Sequence, residues 1–202
     1  MSAEKRKQAT DERRQEILTA AARIFHQKGY DATSIQEVAE AVGMLKGSLY
    51  YYIDSKEDLL YGVIERAHQL GIEGQERAAS EGGSAVSQLR QTIRAHVRNN
   101  LEHLADIGVF FHDFRSLGAE RRQAIVAERD GYERYVRGLI ERGQQEGSLD
   151  PDVDPKLATM ALLGAMNWVY QWYRADGQRS PEEIAEAFAD VALGGIAAPG
   201  QR

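Results

Sequence analysis

The amino-acid sequence predicts an all-α protein, on two observations. All four prolines lie at or after residue 151, and 150 residues without proline favour long helices over a turn-rich sheet. Apolar residues recur at helical spacing along most of the chain, and no long segment alternates between apolar and polar with period two. One such apolar stripe comprises Ile17, Ala20, Ala21, Ile24 and Phe25. We expect about nine helices.

Capping and stop signals set approximate bounds for the first four helices. The first is expected over residues 11–28, before Gly29. Thr33 or Ser34, each with Gln or Glu three residues later, caps a second helix that reaches Val42, since this is the spacing of a capping box. A third helix is predicted over about 46–52. Ser55 caps a long fourth helix.

The later helices are predicted in the same way. They are expected over about 84–104, 106–116, 119–146 and 155–175, with a last helix that begins near 181. Asp154-Pro155 places proline at the first helical position, where its missing N–H does no harm. Ser180-Pro181-Glu182-Glu183 combines a cap, a first-turn proline and a capping-box glutamate.

Composition excludes several classes of protein. The 202 residues contain no cysteine, which excludes disulfide scaffolds, thiolate zinc sites and cysteine nucleophiles. The first fifteen residues are nearly all polar, unlike a signal peptide. The longest apolar stretch, 157–166, is shorter than the roughly 18 residues that a membrane span needs. We therefore expect a soluble, cytoplasmic protein without a membrane partner.

Charge is distributed unevenly along the chain. The formal net charge is −6, yet residues 1–54 hold eight basic and eight acidic side chains, so residues 55–202 carry the whole excess. The N-terminal part also contains Lys5-Arg6-Lys7 and Arg13-Arg14. This asymmetry permits a DNA-contacting head on an acidic body, although such a basic run is also typical of a solvated arm.

Two short predicted helices flank Gly43. Ile35, Val38 and Ala39 are expected to face inward, and Val42 and Leu49 to close the pair. Helices of eight or nine residues are marginal alone, so both must pack on the first helix. The result is a three-helix helix-turn-helix arrangement, whose second short helix fits a DNA major groove about 12 Å wide.

The stretch from residue 11 to about 65 resembles the TetR family of bacterial transcriptional regulators. The matching residues are Ile17, Ala21, Phe25, Gly29-Tyr30, Ala32 to Ile35, Val38-Ala39, Val42-Gly43, Lys46 to Tyr50, Tyr52 and Ser55 to Leu60. Two positions depart from the family. Ile53 stands where Phe is most frequent, and Met44-Leu45 where Val-Ser or Val-Ala is commoner. Leu45 would then contact a thymine methyl group if it faces the groove.

The resemblance implies a DNA-binding surface. It places Lys46, Gly47, Ser48, Tyr50 and Tyr51 against DNA, with Leu45 at the groove, and Thr33 or Ser34 and Lys56 at phosphates. Core packing is the alternative for the three tyrosines from Tyr50 to Tyr52. Three consecutive residues cannot share one helix face, so at least one points outward and at least one, Tyr52 by family position, belongs to the core.

The C-terminal part resembles the branch of the family that responds to acyl-CoA thioesters in fatty-acid, aromatic-acid or steroid breakdown. The resemblance rests on Tyr132 to Gly147 and on Trp168-x3-Trp172-Tyr173-Arg174, Ser180 to Ile184 and Leu193-x-Gly195-Ile196. Aromatic residues with interspersed polar groups suit an apolar ligand pocket, and core packing is the alternative for each. The candidate ligand-binding residues are Phe110, Phe111, Phe114, Arg115, Tyr135, Trp168 and Trp172.

The last two helices also carry stripes of small and apolar residues. The family resemblance implies that these two helices pack against the same helices of a second copy in a homodimer. The alternative is that the stripes belong to a core within one chain. The candidate interface residues are Ala161, Gly164, Ala165, Ile184, Phe188 and Val191.

Together these features predict two domains. Residues 11–55 form a helix-turn-helix DNA-binding domain, and residues 56–202 bind ligand and dimerise. The expected function is a repressor that binds a palindromic double-stranded operator as a dimer and is released by a small apolar ligand, an acyl-CoA thioester. The alternative is a helical small-molecule-binding or interaction protein without sequence-specific DNA binding.

No enzyme, cofactor or metal site is expected. A hydrolase needs a nucleophile beside a base, and the chain has neither a G-x-S-x-G elbow nor a Gly-rich phosphate loop. A metal site near His96, His103, Asp106, His112 and Asp113 is conceivable, but the spacing matches no recognised ligand pattern.

Overall fold

The computed structural model describes residues 3–198, with side chains from residue 5 onward. Within that range the protein has ten α-helices and one 3-10 turn at Phe114–Ser116, and no strand. The α-helices are α1 Ala3–Lys28, α2 Ile35–Ala41, α3 Lys46–Leu49, α4 Lys56–Ser80, α5 Ala85–Glu102, α6 Leu104–Asp113, α7 Ala119–Gln145, α8 Pro155–Asn167, α9 Val169–Trp172 and α10 Pro181–Ile196. The all-α prediction is confirmed.

The chain divides into two compact units. The first contains residues up to 68 together with 105–124, and the second contains 69–104 together with the residues from 125 onward. Residues of α4 therefore belong to both units. The boundary predicted after residue 55 separates DNA binding from ligand binding and dimerisation. The division into compact units does not test that separation, so it stays a prediction.

The predicted caps are present. Ser34 and Glu37 form the capping box of α2, and Ser180 and Glu183 form that of α10. Asp154 accepts a hydrogen bond from the backbone N–H of Leu157 at 2.8 Å. These interactions span three residues, so they depend on local sequence alone.

Three helix bounds differ from the prediction. α1 begins at Ala3 rather than near residue 11, because residues 3–10 contain good helix formers and no glycine or proline. α3 ends at Leu49, since Tyr51 and Tyr52 donate to carbonyls three residues back in a tighter turn. The helix expected over 155–175 is interrupted at Trp168, whose N–H likewise bonds three residues back, to Ala165.

The first unit has a core that joins its short helices to long ones. Its fully buried side chains include Ile17 and Phe25 on α1, Val38 on α2, Leu49 on α3 and Leu59 on α4. Burial of a side chain of this size contributes about 1.5–3 kcal/mol. The four-residue α3 is thus stabilised by packing and not by its own hydrogen bonds.

The second unit has a separate core. It is built from Leu89, Ile93, Val97, Val136, Ile140, Leu162, Met166, Ile184 and Leu193, among others. Along one side, α5 and α10 are joined by a ladder of ion pairs, in which Arg90, Arg94 and Arg98 meet Glu182, Glu186 and Asp190.

Among the described residues, no helix is both long and apolar enough to cross a membrane.

Candidate functional site

The surface around α3 carries most of the predicted DNA-contacting residues. Leu45 is 80% exposed and Tyr51 is 77% exposed, while Tyr50 is 47% exposed. Lys46, Gly47 and Ser48 are exposed as well. Leu49, in contrast, is fully buried. One side chain therefore anchors this short helix, and its remaining positions face solvent.

The turn before α3 is held by backbone and side-chain bonds. Gly43 has a φ of +66°, a conformation that residues with a Cβ rarely adopt. The N–H of Met44 then donates to the carbonyl of Ala39 at 2.8 Å. Arg13 on α1 donates from its guanidinium to the Val42 carbonyl at 2.6 Å. The sequence did not single out this contact, which ties α1 to the turn.

The three tyrosines after Leu49 have different environments. Tyr50 and Tyr51 are exposed, whereas Tyr52 is half-buried. The Tyr51 and Tyr52 rings meet edge to face, with centroids 5.1 Å apart. The turn therefore presents two phenol groups outward and turns one toward the protein.

Thr33 and Ser34 differ in what they offer to DNA. Thr33 is 3% exposed, its hydroxyl donates to the Gly29 carbonyl at 2.8 Å, and its N–H donates to the Tyr30 carbonyl at 3.1 Å. Ser34 is exposed and caps α2. Both polar groups of Thr33 are thus used within the protein, and Ser34 is the better candidate for a phosphate contact.

Glu37 completes the cap of α2. It accepts hydrogen bonds from the Ser34 N–H at 2.7 Å and the Ser34 hydroxyl at 2.9 Å, and it pairs with Lys28. The hydrogen bond from Lys28, helped by those from Ser34, lowers the pKa of Glu37 to about 2. The carboxylate is therefore charged at any ordinary pH. Its negative charge stabilises α2, because it lies near the positive, N-terminal end of the helix dipole.

Lys56 is held in place by a neighbouring loop. Its ammonium group donates to the Asp31 carbonyl at 3.1 Å and lies 4.3 Å from the centre of the Tyr30 ring. This cation–π contact orients the lysine at the start of α4. The role of Tyr30 was missed because its partner is 26 residues away in the sequence.

The candidate ligand-binding residues fall in both compact units. Phe110, Phe111 and Phe114 lie in the first unit, with the Phe110 ring centroid 4.9 Å from that of Phe111 and 6.0 Å from that of Phe114. Phe110 is 9% exposed, and the other two are half-buried. Arg115 is exposed. These three rings form one aromatic cluster.

The other three candidates, Tyr135, Trp168 and Trp172, lie in the second unit. Trp168 is 61% exposed and Trp172 is 47% exposed, and the Trp172 ring stacks on Phe188 with centroids 6.2 Å apart. The Tyr135 hydroxyl is buried without a hydrogen-bond partner in the part of the chain that the structure describes. The two tryptophans are thus exposed to solvent. Of these three candidates, only Tyr135 has a buried polar atom that a bound ligand could contact.

A polar network crosses the core of the second unit. The Nδ1 atom of His96 lies 3.0 Å from the Tyr132 hydroxyl, and its Nε2 atom lies 2.9 Å from the Asn167 side-chain oxygen. Burial raises the pKa of Tyr132, so its hydroxyl stays protonated. Since the Asn167 oxygen only accepts, Nε2 carries a proton, and in the neutral imidazole Nδ1 then accepts from the Tyr132 hydroxyl.

The sequence placed His96 on an apolar helical stripe, and we also weighed it as a metal ligand. Its place on the stripe of Leu89, Ile93 and Val97 was the available signal for a core histidine, but its partners lie 36 and 71 residues away. The described residues contain no group of three or more side chains arranged to hold a metal ion.

An apolar face runs along α8 and continues on α10. Its exposed residues on α8 recur at helical spacing: Leu157, Met160, Ala161, Gly164 and Ala165, followed by Trp168. On α10, Val191 is 78% exposed, Phe188 is half-buried and Ile184 is only 6% exposed. Ile184 packs in the core of its own chain, so of the predicted interface residues it offers a partner the least surface.

Comparison with known proteins identifies the family. A model described as bacterial regulatory proteins of the tetR family matches residues 17–62. A second, described as the tetracyclin repressor-like C-terminal domain, matches residues 82–196, more than half of the chain. The chain belongs to the TetR family. It is a family of regulatory proteins, and the exposed α3 surface lies within its N-terminal match.

Relatives of this TetR-family chain match it over most of their length. The transcriptional repressor KstR2 of Rhodococcus jostii is 29% identical over 192 residues, which is 93% of this chain and 92% of KstR2. The crystal structure of PfmR from Thermus thermophilus has a TM-score of 0.82 at 36% identity and covers 88% of this chain and 96% of PfmR.

A third relative, AibR, is known in a complex with a coenzyme A thioester and operator DNA. The structure of AibR in complex with isovaleryl coenzyme A and operator DNA has a TM-score of 0.79 at 29% identity. It covers 89% of this chain and 97% of AibR.

Proposed function

We propose that this TetR-family regulator represses transcription by binding a palindromic operator as a homodimer, and that an acyl-CoA thioester releases it. The observation that carries the DNA-binding part is the α3 surface. Lys46, Tyr50 and Tyr51 are exposed around a fully buried Leu49. These three polar side chains take no part in the protein's own core, and they are of the kinds that contact base edges and phosphates in protein–DNA complexes.

The roles within this surface follow from side-chain chemistry. Lys46 donates to a guanine edge or a phosphate, and exposed Leu45 packs on a thymine methyl group. Gly47 lets the backbone approach DNA, since it has no side chain. The phenol groups of Tyr50 and Tyr51, with Ser48, Ser34 and Lys56, serve phosphates.

Dimerisation is part of the proposal because one head reads only half of a palindrome. Two heads must lie about one turn of DNA apart to bind both halves. The apolar face of α8 and α10 supplies a surface for a second copy, since large exposed apolar patches mark interaction sites. Trp168 and Trp172, which are exposed, suit this face better than the wall of a pocket.

The acyl-CoA part rests on the relatives and on the aromatic residues. AibR binds isovaleryl coenzyme A, and KstR2 is a repressor of similar length. Phe110, Phe111, Phe114 and Tyr135 remain the candidate ligand-binding residues, with about 0.8 kcal/mol available for each buried methylene group of an acyl chain. Arg115 is exposed, and a guanidinium suits CoA phosphates.

Release requires a difference in ligand affinity between two states of the dimer. The thioester must bind a conformer with wrongly spaced heads more tightly than the operator-bound conformer. The reciprocal effect is that operator DNA weakens thioester binding by the same factor.

The first test is a fluorescence anisotropy titration of the palindrome that adjoins the gene against a scrambled duplex of equal length, at two salt concentrations. We expect preference for the palindrome and affinity that falls steeply with salt. Equal affinity for both duplexes would favour a ligand-binding protein without specific DNA recognition.

The second test adds a panel of acyl-CoA thioesters, free CoA and the free acids to the protein–operator complex. We expect thioesters to lower the anisotropy, and free CoA and free acids to have little effect at the same concentration. Release by an unrelated apolar compound, with no response to any thioester, would reject the acyl-CoA assignment and leave a ligand-responsive repressor.

A further inference from the structure

The basic segment at the start of the chain lies inside a helix. Arg6 and Lys7 belong to α1, which begins at Ala3, and both side chains are exposed. Helical geometry therefore fixes where these two cations point, unlike those of a flexible arm. Basic side chains in the first turns of a helix also oppose its dipole, so helix stability does not account for their presence.

The direction of this extension follows from Arg13. Residues seven apart lie on nearly the same face of a helix, about 10.5 Å apart along its axis. Arg6 therefore lies on the side of α1 that carries Arg13, and Arg13 donates to the Val42 carbonyl in the turn before α3. Lys7 is the adjacent position, about 100° around the helix. The extension thus continues past the turn that presents α3.

Some other cations of the same unit have partners within it. Arg13 pairs with Glu16 and Lys28 pairs with Glu37, while Lys56 is oriented by the Asp31 carbonyl and the Tyr30 ring but has no carboxylate partner in these contacts. Arg6 and Lys7, in contrast, form no ion pair within the described residues, although Asp11 stands four positions after Lys7 in the same helix. Their charges remain available to an external anion.

We propose that Arg6 and Lys7 bind DNA phosphates that flank the half-site read by α3. This inference rests on the proposed DNA-binding function and extends the contact surface beyond the helix-turn-helix. A displacement of about 10 Å along α1 corresponds to about three base-pair steps of 3.4 Å. The contacts would strengthen binding to any duplex and contribute nothing to the choice of sequence.

The test compares the full-length protein with the double variant Arg6→Gln, Lys7→Gln. A matched control, Arg77→Gln with Arg179→Gln, removes two exposed charges from the other compact unit. Dissociation constants for the operator and a scrambled duplex are measured between 50 and 300 mM KCl. Circular dichroism checks that each variant keeps its helices.

Loss of two phosphate contacts from each protomer, four per dimer, should reduce the slope of log K against log salt by about 3.6, which is about 4,000-fold in affinity at 0.1 M if the lines converge at 1 M. The affinity for both duplexes should fall by the same factor, while the control resembles wild type. The proposal would be overturned if the control variant lost as much affinity and salt dependence as the Arg6, Lys7 variant. It would also be overturned if the Arg6, Lys7 variant kept the wild-type slope.

The proposed function and this inference fail in different ways. Wild-type protein that does not prefer its operator contradicts the proposed function, and the slope on the scrambled duplex still tests the two phosphate contacts. Wild-type protein that binds neither duplex overturns both.

Discussion

Arg66 on α4 donates two hydrogen bonds to one carboxylate oxygen of Asp106 on α6, from Nε at 2.8 Å and from a terminal nitrogen at 2.5 Å. A second terminal nitrogen of Arg66 donates to the Thr19 hydroxyl on α1 at 3.0 Å. The arginine side chain is 19% exposed and the aspartate side chain is 10% exposed. One guanidinium therefore connects three helices of the first compact unit.

Replacement of Asp106 by alanine should destabilise the protein by about 3 kcal/mol, because it leaves the Arg66 charge largely buried without its partner. The measurement is the free energy of unfolding in urea. Asp106→Asn is the matched variant, since it keeps the size and one acceptor oxygen and should lose less. Equal stability of Asp106→Ala and wild type would show that Arg66 finds water or another acceptor.

Lys46→Ala and Tyr50→Ala should each weaken operator binding while the helical content and dimer mass stay unchanged. A Lys46 contact with a base edge is worth about 1–3 kcal/mol per half-site, and loss of the Tyr50 phosphate contact weakens binding to any duplex, so a dimer loses each contact twice. Anisotropy titrations measure the loss, and Arg77→Ala, an exposed change on α4, is the control. Wild-type affinity in both variants would remove α3 from the recognition surface.

Substitution of Gly164 should separate assembly from folding. Apart from its own turn of helix, a Cβ atom at this position would meet no atom of the described residues within 4 Å, so the protomer has room for a side chain here and Gly164→Leu also removes the entropic cost of glycine in a helix. In a dimer through α8, the same side chain would collide with the partner. We expect a shift toward monomer in sedimentation and weaker operator binding.

Val191→Glu tests the same face through charge. The side chain is 78% exposed, so the protomer should tolerate a carboxylate there, whereas an apolar interface should not. A wild-type protein that sediments as a monomer at micromolar concentration, or variants of both positions that stay dimeric, would place the interface elsewhere.

Tyr132→Phe should destabilise the second compact unit by about 1–3 kcal/mol, because Nδ1 of His96 then loses its buried donor. For a chain of this length, that corresponds to a fall in Tm of about 2–4 °C for each kcal/mol. Tyr51→Phe removes the same hydroxyl from an exposed position and should change little. Equal effects from the two variants would contradict the assignment of the hydrogen bond.

The depressed pKa of Glu37 predicts a dependence of stability on pH. Its folded-state pKa is about 2, below the ordinary value of 4.5, so the charged form stabilises the folded protein above pH 4.5. This contribution should be lost as the pH falls from 4.5 toward 2. The stability difference between wild type and Glu37→Gln should therefore shrink over that interval, while the glutamine keeps the capping box.

The control for this pH series is Glu73→Gln, an exposed change on α4. A difference between wild type and Glu37→Gln that stays constant from pH 7 to pH 2.5 would contradict the pairing of Glu37 with Lys28.

The sequence by itself determined the all-α class, the helix caps and the residues exposed around α3. Ser34 with Glu37 and Ser180 with Glu183 act over three residues, so a local pattern is sufficient to predict them. The burial of Leu49 and exposure of Leu45 likewise follow from the period of a short helix packed on one side.

The tertiary structure decided what depends on partners distant in the chain. It turned Trp168 and Trp172 toward solvent where the helix expected over 155–175 breaks, and it buried Ile184 in the core of the second unit. It also gave His96 two partners, Tyr132 and Asn167, in place of a metal-ligand set. Spacing along a helix shows which residues share a face, but only packing determines which element covers that face.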